Sequence, residues 1–341
     1  MESNRNLADI VTTVNSTHPG LGSALAFALV ATTARKCLLM ISPSGFGKSA
    51  VSEVVADLNY GKVQRVDAAS MASLHKRETE LSGFNGVLIV DDLTKAGTQY
   101  ARIATISTIA ELVYSHYVDR SMGNMRVQIR NFQGSAIINM QPVWLKQIVE
   151  APEWDAVIKE KVIRYYHLHR PSQPNTTKPQ VKLQATADFD KTHNSLENSK
   201  ERTRLEDIYS TQFSDARLLE HTRALLRAAA SLERRIAVNQ DDVTTLLQLS
   251  RAVKLERHIL RSEDFESERR YDSHTMYLLS ELIQPAGASL KILQRHYNFT
   301  EDKARRIAQK HHDLVLLSPK RDGKLLPTKY AKKLMKEMKM K

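Results

Sequence analysis

The residues with the clearest chemical potential form a short loop rich in glycine and serine. Its sequence at residues 42–49 is Ser-Pro-Ser-Gly-Phe-Gly-Lys-Ser, between an apolar strand pattern and a helix pattern. Such a loop can wrap backbone N–H groups around phosphates, with Lys48 on the β- and γ-phosphate oxygens and the Ser49 hydroxyl on Mg²⁺. Ser42 stands where the pattern GxxxxGKS/T has its first glycine, and the alternative is a chance turn of small residues. The context favours a phosphate-binding loop made of Ser42, Pro43, Ser44, Gly45, Phe46, Gly47, Lys48 and Ser49.

A pair of adjacent carboxylates supplies the second chemical signal. Asp91 and Asp92 end an apolar strand pattern, Val-Leu-Ile-Val at 87–90. In ATP-hydrolysing proteins the first acid of such a pair holds Mg²⁺ through water, and the second polarises the attacking water. Asp92 is one methylene shorter than the glutamate more usual there, so we expect slow hydrolysis. The alternative is a helix N-cap after a core strand. The loop and the acid pair together predict an ATPase that uses Mg²⁺, with Ser49 and Asp91 at the metal and Asp92 in catalysis.

The elements that would position these residues follow an alternating pattern of helix and strand. Strands are expected at 37–41, 63–67, 86–91, 126–132, 135–139 and 162–168, and helices at 21–33, 49–58 and 94–117. Such alternation indicates a parallel sheet. The predicted fold class of residues 1–170 is therefore α/β, a parallel sheet with helices on both faces.

Composition divides the rest of the chain into three parts. Residues 171–204 are rich in Pro, Asn, Thr, Ser and charge, which indicates a linker or long loop. Leucines at helical spacing within 205–270 predict a small helical bundle, in which Asn239 caps a helix with Asp242 in its first turn. Residues 271–341 show three helix patterns and two strand patterns around a turn at 321–324, with Thr300 as a helix cap. This order predicts a winged helix.

The positive charge is concentrated in the C-terminal part. The 341 residues carry 50 Lys and Arg against 38 Asp and Glu, a net charge of +12, and residues 288–341 alone carry 15 against 5. This asymmetry favours an anionic partner there, and the alternative is a solvated basic tail. One cysteine, Cys37, excludes a disulfide framework and a zinc cluster. Without a membrane-length apolar run or a secretory signal, we expect a cytoplasmic, chromosome-associated protein with no membrane partner.

The loop and the acid pair resemble the corresponding motifs of AAA+ ATPases, and the resemblance extends over about residues 18–260. Asn139, at the end of an apolar strand pattern, is similar to the sensor-1 residue that helps position the lytic water. Arg164 resembles the arginine finger that acts on the ATP of a neighbouring subunit. Arg217 resembles the sensor-2 arginine of a helical lid, which would be residues 205–270. A single arginine is more often part of a surface ion pair, which is the alternative for both.

Two basic segments are candidates for DNA contacts. Residues 119–134 resemble a hairpin that touches DNA in helicase-type AAA+ proteins, where Arg126 and Arg130 would contact phosphates. The alternative is an ordinary strand pair with exposed arginines. In the C-terminal block, a helix–turn–helix pattern would place a basic face in the major groove, and the alternative is a winged fold used for protein contacts. The C-terminal candidates are Lys303, Arg305, Arg306, Lys310, Lys320, Arg321 and Lys324.

The resemblance implies an ATP-dependent enzyme that acts on DNA as a replication or recombination motor or loader. The order of core, lid and winged helix is similar to that of branch-migration motors and helicase loaders. Mg-ATP would lie between subunits of a homo-oligomer, a hexameric ring or a filament, with a replication or recombination protein as a further partner. Two alternatives stay open: a nucleotide-gated DNA-binding switch with little hydrolysis, and a protein-remodelling AAA+ chaperone.

Overall fold

A computed structural model of the chain describes residues 6–59, 62–122, 125–170, 178–194, 196, 199–259, 273–284, 287–320 and 322–338. Arg321, one of the expected DNA contacts, lies outside these residues. Within them, no helix combines the length and the apolar character that crossing a membrane requires.

The strands of the described part form three sheets. They are β1 (Cys37–Ile41), β2 (Val63–Arg65), β3 (Val87–Val90), β4 (Val118–Met122), β5 (Met125–Ile129), β6 (Ser135–Met140), β7 (Val162–Tyr166), β8 (Ala288–Ser289), β9 (Val315–Leu317) and β10 (Lys324–Pro327). Five parallel strands make the central sheet in the order β2–β3–β6–β1–β7. β4 and β5 form a separate antiparallel hairpin, and β8–β10–β9 form a small antiparallel sheet.

Helices surround these sheets. They are α1 (Asn6–Thr17), α2 (Gly22–Thr33), α3 (Lys48–Leu58), α4 (Met71–Lys76), α5 (Glu78–Leu81), α6 (Gln99–Ser115), α7 (Pro142–Val149), α8 (Lys200–Tyr209), α9 (Asp215–Leu232), α10 (Gln240–Leu249), α11 (Glu256–Ile259), α12 (Ser273–Ile283), α13 (Leu290–Tyr297), α14 (Glu301–Lys310) and α15 (Lys329–Met338). Short 3₁₀ turns occur at Leu93–Ala96, Phe189–Lys191 and Ser250–Leu255, and a π-helical turn at Trp154–Ile158.

Both faces of the central sheet are buried, which explains the continuous apolar runs in its strands. Along β1, Leu38 and Met40 belong to an apolar cluster with α1, α2, α3, α9 and α10. Leu39 and Ile41 belong to a second cluster with α6 and α7. This division follows from the two-residue period of a strand. The prediction of an α/β fold with helices on both faces of a parallel sheet is confirmed.

The helix expected at 94–117 is interrupted near its start. Gly97 has a φ of 77°, in the left-handed region that an α-helix cannot contain. A 3₁₀ turn therefore precedes it, and α6 begins afresh with Thr98 as its cap, whose hydroxyl accepts from Ala101 N. The side-chain cap replaces the backbone partner that the break removes.

The segment expected to be a linker, 171–204, packs onto the protein in its described part. Val181, Leu183 and Phe189 are partly buried against the cluster that contains α9. The helix α8 begins at Lys200, before the expected start of the helical bundle. The polar composition of the segment obscured these apolar side chains, whose burial favours the packed position.

A buried ion pair joins the central sheet to the helices that follow it. Arg164 lies in the middle of β7, and its Nη2 is 2.8 Å from Oε1 of Glu256, with both side chains fully buried. The guanidinium also donates to the carbonyls of Lys159 and Gln212, and the hydroxyl of Tyr166 donates to Glu256. The remaining hydrogen-bonding capacity of the pair is thus largely satisfied, which a buried charge requires.

We expect Arg164→Ala to lower the free energy of unfolding by about 3–5 kcal/mol, because it leaves a buried carboxylate without its cation. The matched control is Arg126→Ala, which removes an exposed ion pair with Asp119 and should leave stability nearly unchanged. Urea denaturation measures both variants. Similar losses in the two variants would contradict the role given to the buried pair.

Candidate functional site

The glycine–serine loop connects β1 to α3 through two left-handed residues. Gly45 and Gly47 have φ values of 79° and 89°, which glycine adopts without strain. A Cβ on Gly47 would also lie 2.9 Å from Cδ1 of the buried Leu21, so a side chain here would require Leu21 to shift. Gly47 is the N-cap of α3 and offers no side-chain acceptor. The first N–H groups of α3 therefore stay available to a bound anion.

Lys48 begins α3 and holds its ammonium group against the loop. Its Nζ donates to the carbonyl oxygens of Ser42 at 2.6 Å and Pro43 at 2.8 Å. Burial lowers the pKa of Lys48 to about 8, and the negative charge of Asp92 opposes this shift. Lys48 is thus a partly desolvated cation between the loop and the acid pair, where phosphate oxygens would give it a stronger partner than carbonyls.

The order of the strands brings the acid pair and Asn139 to this loop. β6 lies between β1 and β3, so the carboxyl ends of three neighbouring parallel strands meet at one edge of the sheet. β1 leads into the loop, β3 leads into the acid pair, and β6 carries Asn139 opposite Met40. Their side chains line one cleft of about 420 Å³. The predicted residues in its lining are Ser44, Gly45, Phe46, Gly47, Lys48, Ser49, Asp91, Asp92 and Asn139.

Two buried oxygens at this cleft, Oδ1 of Asp91 and Oδ1 of Asn139, have no hydrogen-bond partner among the residues that the structure describes. The other polar atoms of these side chains are engaged. Oδ2 of Asp91 pairs with Arg65, and Nδ2 of Asn139 donates to Ser52 Oγ at 2.8 Å. Because an unpaired buried acceptor costs free energy, the two oxygens fit a ligand or water that donates to them. No motif marks Arg65; the pairing of β2 with β3 places it here.

The cleft fits a magnesium ion held mainly through water and phosphate oxygens. Ser49 is exposed at the start of α3, and Asp91 presents its unpaired oxygen to the same cleft. Across the described residues, no group of three His, Cys, Asp or Glu side chains could form a metal cage. Magnesium usually keeps several waters and takes one or two protein ligands beside the phosphates. Ser49 and Asp91 are therefore a sufficient protein contribution.

Asp92 has a structural task in addition to its place in the cleft. Its Oδ1 accepts from Thr94 N at 2.9 Å and caps the 3₁₀ turn at Leu93–Ala96. The capping alternative is thus confirmed as a property of this residue. Oδ2 takes no part in the cap, so the cap leaves that oxygen available to a water at the cleft.

His167 supports the loop from the interior, although no motif marks it. It follows β7, is buried, and its Nε2 lies 2.7 Å from the carbonyl oxygen of Phe46. Burial lowers the pKa of His167 to about 3, and the neighbouring His169 and Lys48 lower it further while the bond to Phe46 opposes them. The ring is therefore neutral at pH 7 and donates Nε2–H to the loop carbonyl.

The structure contradicts the prediction that Arg164 is an arginine finger. Its side chain is fully enclosed within its own chain, so it cannot contact a nucleotide on a neighbouring subunit. The alternation along β7 explains the burial. Arg164 shares a face with Val162 and Tyr166, and that face is covered by the cluster around α6 and α7.

The sensor-2 prediction is also wrong for Arg217. This residue stacks on the ring of Tyr114 at 4.3 Å and pairs with Glu220 at 3.0 Å. Glu220 in turn binds Lys36, the residue just before β1. The five residues of β1 span roughly 16 Å between that point and the loop. Arg217 therefore lies at the amino end of the sheet, whereas the cleft lies at the carboxyl end.

The basic side chains predicted to contact DNA are exposed wherever the structure describes them. On α14, Ala304, Ile307 and Ala308 are buried and Thr300 caps the helix as predicted, so the basic residues occupy the outer face. Two of them make contacts close by in sequence: Arg305 pairs with Glu301 at 3.1 Å, and Nζ of Lys303 lies 4.5 Å from the ring centre of Phe299. The exposed C-terminal candidates are Lys303, Arg305, Arg306, Lys310, Lys320 and Lys324.

The two hairpin arginines are exposed as well. Arg126 pairs with Asp119 across the β4–β5 ladder at 2.8 Å, and hydrogen bonds from Arg126, Tyr117 and Gln128 lower the pKa of Asp119. Arg130 follows the hairpin. This geometry agrees with the ordinary strand pair as well as with a DNA contact, so the DNA role of both arginines stays a prediction.

We expect the free energy of unfolding to decrease as the pH is lowered below about 6.5, because the pKa of the buried His167 is lowered. Its pKa is about 3 in the folded chain and 6.5 ordinarily, so below about pH 6.5 the unfolded chain binds a proton that the folded chain excludes. The contribution of His167 to the free energy of unfolding should fall by at most about 1.4 kcal/mol per pH unit. His167→Gln keeps a donor for Phe46 without titrating, so its curve should be flatter; His221, whose pKa burial lowers to about 4, retains part of the slope. Urea denaturation from about pH 7.5 to about pH 5 tests this, and parallel curves would contradict it.

Comparison of the sequence with known proteins does not assign the chain to a family. No protein-family model matches the chain, and no curated protein sequence matches it. The functional assignment therefore depends on the cleft, the charges and the contacts described above.

Proposed function

We propose that this chain is an ATPase that binds Mg-ATP in the cleft at the carboxyl end of its central sheet. One observation carries the proposal: the loop, Lys48, the acid pair and Asn139 line a single cleft, and two of their buried acceptor oxygens have no partner among the described residues. A chance turn of small residues would not require costly unpaired acceptors around it.

Each residue has a defined task in the proposed reaction, in which the γ-phosphoryl group of ATP passes to water and ADP leaves as the β–γ bridge bond breaks. The loop N–H groups bind the phosphates, and the Lys48 ammonium neutralises charge that develops on the β–γ bridge. Asn139 orients the attacking water through Oδ1, and Oδ2 of Asp92 takes its proton. Ser49 and Asp91 would hold Mg²⁺, which supplies further neutralisation of the phosphate charge.

Membership of the AAA+ ATPases is part of this proposal. The strand order supports it, because β6 stands between the loop strand and the acid-pair strand and carries a polar residue, Asn139, at the cleft. In this proposal α8–α10 are the lid, and α12–α14 with β8–β10 are a winged helix. The hexameric ring or filament stays a prediction from the resemblance, and its arginine finger would have to be a residue other than Arg164.

We further infer that DNA is the partner of the C-terminal block. The support is the exposed basic face of α14 together with the count of 15 basic against 5 acidic residues in 288–341. A helix with such a face fits the major groove, and the turn between β9 and β10 would follow the phosphate backbone. The protein would then act on the chromosome as a motor or loader in replication or recombination.

A nucleotide-gated DNA-binding switch is the second candidate function. It is favoured by the geometry of the two acids: Asp92 already caps a 3₁₀ turn through Oδ1, and Asp91 is paired with Arg65. Both bonds draw the carboxylates away from a role in hydrolysis. In this alternative ATP binding changes DNA affinity without turnover.

We expect Lys48→Ala to weaken Mg-ATP binding at least about tenfold, because the charge on the phosphates is lost. Asp92→Asn should bind Mg-ATP as the wild type does and lose hydrolysis, since asparagine still caps the turn but takes no proton. Lys95→Ala, which removes an exposed lysine close to the acid pair in sequence, is the control. Calorimetry and phosphate release measure the two steps. An unchanged Mg-ATP affinity in Lys48→Ala would overturn the assignment of the loop. If the wild type binds Mg-ATP but does not hydrolyse it, the result would favour the switch.

We expect the affinity for duplex DNA to fall steeply with salt and to depend on α14. The double variant Arg306→Ala/Lys310→Ala should bind DNA more weakly, with a log–log salt slope smaller by about 0.9 for each lost phosphate contact. Lys332→Ala/Lys333→Ala removes the same charge from exposed positions on α15 and is the control. Fluorescence anisotropy at several salt concentrations measures the slopes. Equal slopes in both variants would remove α14 from the interface.

A further inference from the structure

A second concave site, the basic groove, lies at the amino end of the central sheet, opposite the cleft. It has a volume of about 620 Å³ and is bounded by α9, the turn before β1, the end of α6 and the 3₁₀ turn at Phe189–Lys191. Four cationic and two anionic side chains line it: Arg35, Lys36, Arg223 and Arg227, with Asp190 and Glu220.

The two carboxylates do not neutralise the surrounding cations. Glu220 is shared between Lys36 at 2.8 Å and Arg217 at 3.0 Å, and it also accepts a hydrogen bond from the hydroxyl of Tyr114. Asp190 is 61% exposed, so solvent screens its pairing with Arg35 at 2.8 Å. The groove therefore keeps an excess of positive charge.

Two arginines on α9 have no carboxylate partner among the described side chains. Arg227 donates to the carbonyls of Thr192 at 2.6 Å and Phe189 at 2.9 Å, which fix its position without cancelling its charge. Arg223 is exposed, one helical turn away, and forms no ion pair with any described residue. Both guanidinium groups are therefore placed to donate hydrogen bonds to an anion in the groove.

One cationic residue of the groove has a backbone conformation that arginine seldom adopts. Arg35 has a φ of 53°, in the left-handed region. From there its guanidinium lies 5.6 Å from the ring centre of Phe189, and that of Arg227 lies 4.6 Å from the same ring. Two cations are thus fixed around one aromatic ring before any ligand binds, which reduces the ordering that binding would require.

We propose that the basic groove binds the phosphate backbone of a single nucleic-acid strand. Arg223 and Arg227 stand about 6 Å apart along α9, so they offer successive positions to an extended polyanion. His116 and Gln133 also line the groove, and in sequence they lie before and after the β4–β5 hairpin, which carries the exposed Arg126 and is followed by the exposed Arg130. A strand in the groove could thus continue onto the hairpin, as in single-strand binding along a basic track. The inference rests on the proposed action on DNA and adds a second contact surface on the ATPase core.

The test compares two arginine variants of the full chain that make the same charge change. Arg223→Glu alters the basic groove, and Arg204→Glu alters an exposed arginine on α8 that does not line it. A labelled single-stranded DNA of about 20 nucleotides is titrated by anisotropy at several salt concentrations. We expect Arg223→Glu to weaken binding at least about tenfold and to reduce the salt slope by about 0.7 per lost phosphate contact, with little effect from Arg204→Glu. Mg-ATP affinity should stay at the wild-type value in both.

The other outcomes separate the groove from the proposed function. If the wild type binds DNA and the two variants have the same affinity and salt slope, the proposed binding of a strand in the basic groove is wrong and the proposed DNA function is unaffected. Absence of DNA binding by the wild type overturns the proposed DNA function together with the groove. Inorganic tripolyphosphate serves as the small-anion probe: if Arg223→Glu abolishes its binding but leaves the oligonucleotide affinity unchanged, the ligand is a small phosphate compound and the strand assignment is wrong.

Discussion

The ion pair between Arg164 and Glu256 is the contact on which the arrangement of the chain depends. Both charges are fully buried, where separating them would cost several kcal/mol, so β7 and the start of α11 must stay together. The side chain of Gln212 accepts from Arg164 N at 3.0 Å and donates to Glu256 at 3.0 Å, which adds the loop between α8 and α9 to the same assembly. One charge pair thereby holds three segments that are far apart in sequence. The pair also limits the possible functions of Arg164, because a guanidinium buried against Glu256 cannot contact a bound nucleotide.

The chain that continues from β7 connects this pair to both proposed activities. The side chain of His167 donates a hydrogen bond to the carbonyl of Phe46 in the glycine–serine loop. The carbonyl of Leu168 accepts from Gln284 at 3.2 Å, and Arg170 pairs at 3.2 Å with Glu281, a fully buried carboxylate of α12. The loop proposed to bind phosphates and the first helix of the basic C-terminal block are therefore attached to one short stretch of chain. Because these contacts are buried, neither side can move far without disturbing the other.

The parallel arrangement of the sheet separates two kinds of chemistry. All five strands point the same way, so the polar residues that follow β1, β3 and β6 gather at one end, with Lys48 facing the acid pair. The opposite end receives the turns that precede the strands, and α9 lies there with an unbalanced set of arginines. The cleft proposed to bind a nucleotide and the groove proposed to bind a polyanion are thus about one sheet length apart. Part of the excess charge of the C-terminal block lies on a third surface, the outer face of α14.

Features that depend on neighbours in sequence were predictable without the fold. The bounds of β1 and the caps at Asn239 and Thr300 agree with the structure, since caps and apolar periodicity act over a few residues. The motifs predicted the tasks of the loop, Asp91 and Asp92, and the resemblance implied that of Asn139; the structure brings all of them to one cleft because they follow or end neighbouring parallel strands. Long-range packing decided the rest. Arg164 forms a buried ion pair with Glu256, and Arg217 lies at the end of the sheet opposite the cleft. The order of the strands places Arg65 and His167 at the cleft. An arginine or histidine has the same local signature whether solvated or buried, and only the partners that tertiary structure brings to it determine its charge, its reach and its role.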